Sequence, residues 1–450
     1  MGPLEKAPVK SELSYQLRCH IVPYPLDRSQ KMTRLNTLGF ALAFDPSSYS
    51  SGDVVKVDVA VIGGGATGTY AGISLSDMGH SVVVVEKLGL LGGHTNTYVD
   101  AGTGIAIDYG VQRYQNEANT LDFFSRLNVT PSDDFPVSAY NTTIYADFSS
   151  SKVLDFTPGT NFTGWLEQCY KYPWMQYTSD IPPPVPEDLY LSMDKFITKY
   201  DLGDISCSTN RIVGGNDKIY ESALDVLGSS VLLNSTVIAA KRGSTADEAT
   251  YLVVSTPTGL KLIQASRLLI TIPTTKTNMA PFAPDTKEEQ VFTDFEVSGY
   301  YTGLVRFSEA VLPAATAYEN ADPNAEYYLP QPPALISFAP TAVENLYTYR
   351  AYSTNVLSDS DAQTETLDLI NTFVTGLTGK TADIELAAFN SHSPFRPSLT
   401  SEAIKGGYWG KMYGLQGYRN TWYTGAQFLP GSSQLWNYTA TLLPDIVANL

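Results

Sequence analysis

The sequence predicts an α/β protein, a Rossmann-like dinucleotide-binding domain with an α+β substrate domain interleaved in it. Three observations predict this. Val57–His94 reads as strand, glycine turn, helix and strand. The same style returns at 211–275 and at 415–450. Between these stretches, 116–204 and 286–404 are of different character, with aromatic-rich runs and no phosphate-binding pattern.

In the first unit an apolar run, Val57 to Ile62, leads straight into Gly63-Gly64-Gly65-Ala66-Thr67-Gly68. The periodic segment after it carries Tyr70, Ile73 and Leu75 and stops at Gly79. A second apolar run, Val82–Val85, ends in Glu86 and Lys87. A dinucleotide fold calls for an acidic residue about twenty positions past the glycine turn, as here. Gly63 permits the tight turn, Gly65 lets the backbone approach a pyrophosphate, and Gly68 lets the helix pack closely on the sheet. The phosphates are expected on the free N–H groups of the helix start, around Gly65, Ala66 and Thr67. Glu86 would accept hydrogen bonds from a ribose and repel a 2′-phosphate, which disfavours an NADP-type ligand.

Gly89–Gly93 (GLLGG) and His94-Thr95-Asn96-Thr97 form a loop able to run close beneath a cofactor. Gly104–Arg113 reads as a strand ending in Asp108-Tyr109-Gly110, where Gly110 suggests close backbone approach to something flat. Residues 116–204 hold Tyr170, Tyr172, Trp174 and Tyr177, a proline loop at Pro182–Pro186, and a helical pattern from Asp188 to Tyr200. In 211–275 a helix is expected at Asp217–Leu227, with strands at Val231–Leu233, Tyr251–Ser255, Gly259–Ile263 and Ser266–Ile272. Strands at Glu296–Phe307 and Asn345–Tyr352 and a helix at Thr364–Leu377 follow. Last, a strand at Asn420–Thr424 meets Gly425, and Pro430–Ser432 opens a helix from Ser433, suited to an anionic or carbonyl-bearing ligand. The expected division is an extension at 1–53, a nucleotide domain at 54–115, 205–285 and 405–450, and a substrate domain at 116–204 and 286–404.

A net charge of −17 argues against nucleic acid or an anionic membrane surface as partner. The cysteines (Cys19, Cys169, Cys207) and histidines (His20, His80, His94, His392) are scattered, with no metal-ligand spacing, so no metal is expected. No stretch approaches the roughly eighteen apolar residues of a spanning helix. Residues 1–31 are polar, whereas Met32-Thr33-Arg34 with Leu35–Phe44 resembles a short signal peptide. The expected location is therefore cytoplasmic for the chain as it stands, and secreted or endomembrane if translation begins at Met32.

The order GxGxxG, Glu86, GLLGGH and IDYG, then GGNDKIY, LLNSTVIAAKR and LLITIP, then YTGAQ and GSS, resembles the flavin-containing amine oxidase superfamily. Within it, GGHTNTY, DYGVQ and LQGYRNTWYTGAQ with SSQLWNYT are most similar to the β-cyclopiazonate dehydrogenase-like oxidoreductases. The resemblance spans most of 54–450 and implies a GR2-type fold with FAD as cofactor. It places Gly63, Gly65, Ala66, Thr67 and Gly68 at the pyrophosphate and Glu86 and Lys87 at the adenosine ribose. It puts Gly92, Gly93 and His94 beside the flavin phosphate and ribityl chain, and Gly110, Val111 and Gln112 near the isoalloxazine. Val237 would meet the adenine through its backbone, while Gly425, Ser432 and Ser433 would approach the ribityl chain and pyrimidine edge. Trp422 matches an aromatic-cage position, with Tyr423 beside it, and His94 and His392 are candidate proton carriers. The sequence departs from the amine oxidases in having His94 after the Gly-Gly pair, where they have a basic residue, and Ala426-Gln427 where an acid is common.

These residues imply an FAD-dependent oxidoreductase that removes hydride from a C–H of a small organic substrate, an amine or alkaloid-like secondary metabolite, with dioxygen reoxidising the flavin. A flavin-dependent isomerase and a non-catalytic flavin-binding protein are the competing expectations.

Overall fold

The computed structural model describes residues 42–132, 140–156, 158–159, 163–202, 211–212, 215–243, 245, 247–292, 295–325 and 328–450. The readings of residues 1–41, which take in most of the signal-peptide resemblance, lie outside these.

β1 (Val54–Ile62), α1 (Ala66–Asp77) and β2 (Val82–Val85) form the expected strand–helix–strand unit. β2 is four valines, all buried, as suits a parallel strand covered on both faces. The remaining strands of this sheet are β3 (Val231–Leu232), β4 (Thr236–Lys241), β5 (Thr250–Thr256), β6 (Gly259–Ile270) and β7 (Thr421–Tyr423). Their order is β4-β5-β6-β1-β2-β3, with β7 beside the end of β6. Gly259–Ile263 and Ser266–Ile272, expected as two strands, are one: Ala265 pairs with Val57 on one side and Thr250 on the other. β6 reaches twelve residues because its first half holds β5 and its last three residues hold β7. The chain leaves β1 toward β2 on one side while β6 lies on the other. The glycine turn after Ile62 therefore stands at the point where strand order reverses, where α/β sheets bind ligands.

Three more helices matter: α2 (Lys218–Leu227), α3 (Asp359–Thr378) and α4 (Ser432–Val447). α1 packs against α2 and α4. Trp436 of α4 is fully buried, stacks on Tyr70 and Tyr114, and meets Phe123 and Phe124 edge-on. The helix Ala118–Arg126, from the stretch read as substrate domain, thus puts Phe123 and Phe124 into the core of the first sheet.

The second sheet runs 384–391, 296–307, 346–353, 334–340, 316–320, 142–147 and 152–153, with 395–398 also on 296–307. Its neighbours are antiparallel except 142–147 and 316–320, which are parallel, so strands from both inserted segments share one sheet. One face buries Phe307, Phe338 and Tyr349 with Ile370, Phe373 and Val374 of α3. The other face packs Leu304 and Leu346 on the ribbon formed by Thr97–Val99 and Ala106–Asp108. Among the described residues no helix is long and apolar enough to cross a membrane.

Candidate functional site

The glycines of the turn are required for separate reasons. Gly63 has φ +102°, and a Cβ there would meet Thr271 Oγ1 at 2.7 Å. A Cβ at Gly68 would stand 1.8 Å from the Gly63 carbonyl oxygen, so only glycine lets α1 come this close to β1. Gly65 differs: its Cβ would meet nothing nearer than the Gly93 Cα at 4.0 Å. Gly65 is the N-cap of α1, with no side-chain cap and no acidic residue in the first turn. The unbonded N–H groups and the positive helix end, near Ala66 and buried Thr67, look into that clear space, which suits an anion. The Ala66 carbonyl accepts from Trp436 Nε1 at 3.0 Å, which fixes the helix start from behind.

The second glycine loop lies directly alongside. Gly92 forms a parallel bridge with Gly65, and its N–H donates to the Gly64 carbonyl at 2.9 Å. Gly93, at φ +59°, would bring a Cβ to 3.2 Å from the Gly65 Cα. Glu86 is buried at the end of β2, where one carboxylate oxygen accepts from Gly64 N at 2.6 Å and the other from Leu88 N at 2.7 Å. The acid therefore also holds the two loops in register. Lys87 beside it is exposed.

His94 follows the glycine pair and stacks on His392, ring centroids 4.4 Å apart and planes 13° from parallel. His392 is buried and reaches Asn96 Oδ1 through Nε2 at 2.9 Å. An amide oxygen only accepts, so the neutral ring carries its proton on Nε2. Tyr300 and Phe395 stack at 4.2 Å beside the pair. The His94 surface is exposed, yet protein surrounds it at longer range. That surrounding protein, and then the Lys87 ammonium, push its pKa down to about 4. Burial, and then His94, push His392 down to about 3. Both rings are neutral at pH 7.

Gly110, expected to approach a flat ligand, also lies close against the protein: a Cβ there would lie 2.2 Å from the His94 carbonyl oxygen. Val111 N donates to that same oxygen at 2.9 Å. Gln112 donates from Nε2 to the Asp108 carbonyl and accepts from Arg350 at 2.7 Å, tying this loop to the second sheet. Val237 is buried in β4, opposite Val254. Gly425 has φ +111°, where a Cβ would meet the Thr271 carbonyl oxygen at 2.3 Å. Ser432 opens α4, and buried Ser433 accepts from Gln115 N at 3.0 Å through its hydroxyl.

Trp422 and Tyr423 form no cage. They are consecutive on β7, so they point to opposite faces of the sheet, and both are buried. Tyr423 donates to Glu288 Oε1 at 3.0 Å, within a buried network where Glu288 also binds Arg242 and Arg419. The contacts that sequence reasoning missed are His392 beside His94, Asn96 behind His392, and Arg350 on Gln112.

Residues 61–127 match the family model described as an NAD(P)-binding Rossmann-like domain. Over 459 residues the chain is 36% identical to the FAD-dependent oxidoreductase dbaF of Emericella nidulans, covering 92% of this chain and 97% of that one. The chain belongs to the FAD-dependent oxidoreductase family. It is also 33% identical to the FAD-dependent oxidoreductase pigF of Monascus ruber, over 92% of this chain and 98% of that one. Identity to the β-cyclopiazonate dehydrogenase of Aspergillus oryzae is 28%, over 88% and 94% of the two chains. Among solved structures, a fatty acid isomerase from P. acnes superposes with TM-score 0.65 at 15% identity, over 87% of this chain and 99% of that one. Putrescine oxidase gives TM-score 0.59 at 15% identity, over 88% and 100% of the chains, which shows a shared fold.

As in an FAD-dependent oxidoreductase, the residues present fit the cofactor. The open space before Gly65 and the uncapped start of α1 suit its pyrophosphate. Glu86 sits where an adenosine ribose is held.

Proposed function

We propose that this FAD-dependent oxidoreductase removes hydride from a C–H bond of a small, flat, ring-bearing substrate, an amine or alkaloid-like secondary metabolite, with dioxygen as the final acceptor. Bound FAD supplies the hydride acceptor. The observation that carries the reading is the stack of His94 on His392 beside Tyr300 and Phe395, where the second sheet meets the glycine loops. His94, Tyr300 and Phe395 keep accessible surface, and their planar faces suit a ring held by stacking. His94, open on its surface, is the member of the stack that a substrate ring can reach. Asn96 holds the orientation of His392, and so of the stack. The start of α4, with no acidic residue in its first turn, adds partial positive charge for an anionic group.

Anaerobic mixing of the FAD-loaded protein with a panel of amines and indole alkaloids tests this reading. The expected result is bleaching of the flavin band that reverses, with peroxide release, when oxygen enters. Turnover without net bleaching would instead make the protein an isomerase. A chain that takes up no FAD would overturn the reading altogether.

A further inference from the structure

The pairing register of the second sheet lines up six polar side chains in a row. Tyr145 stands opposite Glu319, Glu319 opposite Ser337, and Ser337 opposite Arg350. Arg350 stands opposite Thr302, and Thr302 opposite Asn390. Directly paired residues project to the same face of a sheet, so the row crosses one face from strand 142–147 to strand 384–391. That face looks at the cofactor loops. Two residues before Thr302 lies Tyr300, whose carbonyl accepts from His392 N, and His392 stacks on His94. Arg350 itself bonds Gln112 of the loop after Asp108. On the other side of the row, Leu304 and Leu346 are packed on the ribbon of residues 97–108. The row therefore lies on the face of the sheet turned toward the glycine loops, beside the histidine stack, whereas the opposite face is the apolar one that α3 covers.

The row is incompletely bonded. Arg350 is exposed, forms no ion pair among the described residues, and spends one donor on Gln112 out of the five a guanidinium carries. Thr302 is 2% exposed, and its Oγ1 has no hydrogen-bond partner among the described residues. Glu319 stands two strands from Arg350, roughly 10 Å across the sheet, about the width of a fused ring system.

We propose that this row is the substrate-recognition surface and that it selects flat molecules bearing an acidic oxygen, a carboxylate or an enolate, which Arg350 binds. The proposal rests on the reading of the histidine stack as the oxidation site. A planar guanidinium fork matches a pair of anionic oxygens and repels an ammonium. Gln112 aims the fork from the cofactor side, and Thr302 and Ser337 supply hydroxyls on either side of it. Glu319 reinforces the selection: burial pushes its carboxyl up to about 7 against the pull of Arg350, so an incoming anion meets an acid that is half protonated at neutral pH. An alkaloid-like substrate would be held by its acidic oxygen rather than by a charged amine.

The test is calorimetric titration of the FAD-loaded chain with benzoate and 2-naphthoate, and with benzylamine and naphthylmethylamine, which carry the same rings and the opposite charge. The carboxylates are expected to bind at least about tenfold more tightly than the amines. Arg350→Met should weaken the carboxylates by about tenfold or more, as expected for loss of a charge-assisted hydrogen bond. Arg350→Lys should restore part of the binding, and both variants should retain FAD. Equal or tighter binding of the amines, no carboxylate binding to the wild type, or carboxylate affinity untouched by Arg350→Met would each overturn the proposal. FAD content, read on the same samples, separates this outcome from failure of the flavoprotein reading.

Discussion

Gly65 and Gly68 stand three residues apart in one motif, yet their substitution should have opposite signatures. A side chain at Gly65 enters open space, at a φ of −69° that any residue adopts. Gly65→Val should therefore melt like the wild type and lose bound FAD, read as the 450 nm absorbance ratio of the purified protein. Gly68→Ala drives a methyl group to 1.8 Å from a backbone oxygen, so it should cost about 1–3 kcal/mol in urea unfolding. His392 gives a pH signature of its own. Its folded pKa is lowered from 6.5 to about 3, so between those values the unfolded chain binds the extra proton, and stability falls as pH drops below 6.5. His392→Gln keeps a donor for Asn96 and removes the titration. Its loss of stability between pH 7 and pH 5 should be smaller than that of the wild type by about 2 kcal/mol. Equal losses in the two proteins would show that the ring is not held neutral.

Among the elements, the short helix Thr286–Glu289 is held by a dense set of polar contacts. Glu288 closes a capping box with Asp285, receives two bonds from Arg242 at 2.6 Å, and adds Arg419 and Tyr423. All four partners converge on a carboxylate with no exposure, so Glu288→Ala leaves Arg242 buried and uncompensated. The expected loss is about 3–5 kcal/mol, seen as a lowered urea midpoint. This network also marks the limit of what the sequence makes legible. β1, α1 and β2 are readable because the glycine turn and the apolar runs are local, and strand Glu296–Phe307 matches its expected bounds because β-branched and aromatic residues (Val297, Tyr300, Tyr301, Thr302, Val305, Phe307) run along its length. The fate of Tyr423 depends on Glu288, 135 residues earlier, and that of His94 on a histidine almost three hundred residues later. Such contacts are set by strand register, which carries no local sequence signal, so Trp422 and Tyr423 read as a cage when alternation along β7 sends them to opposite faces.

At the scale of the whole molecule, the joints between the cofactor loops and the second sheet include His94 on His392, Gln112 with Arg350, and Asp100 with Arg306 at 2.5 Å. One side of each joint belongs to residues 94–112, the stretch that continues from Gly92 and Gly93. A ligand that orders this stretch must therefore bias the second sheet as well, although that sheet supplies none of the pyrophosphate site. If the sheets unfold as one unit, FAD at a hundred times its Kd stabilises both by about 2.7 kcal/mol. The prediction is a single melting transition that moves upward with FAD. Amide exchange should slow at 384–398 as well as at 89–96, because His392 and its strand cannot open without breaking the stack. In His392→Gln that protection should shrink at 384–398 while persisting at 89–96. Two transitions, with only the first responding to FAD, would mean that the joints transmit nothing and that the second sheet is stable without the cofactor.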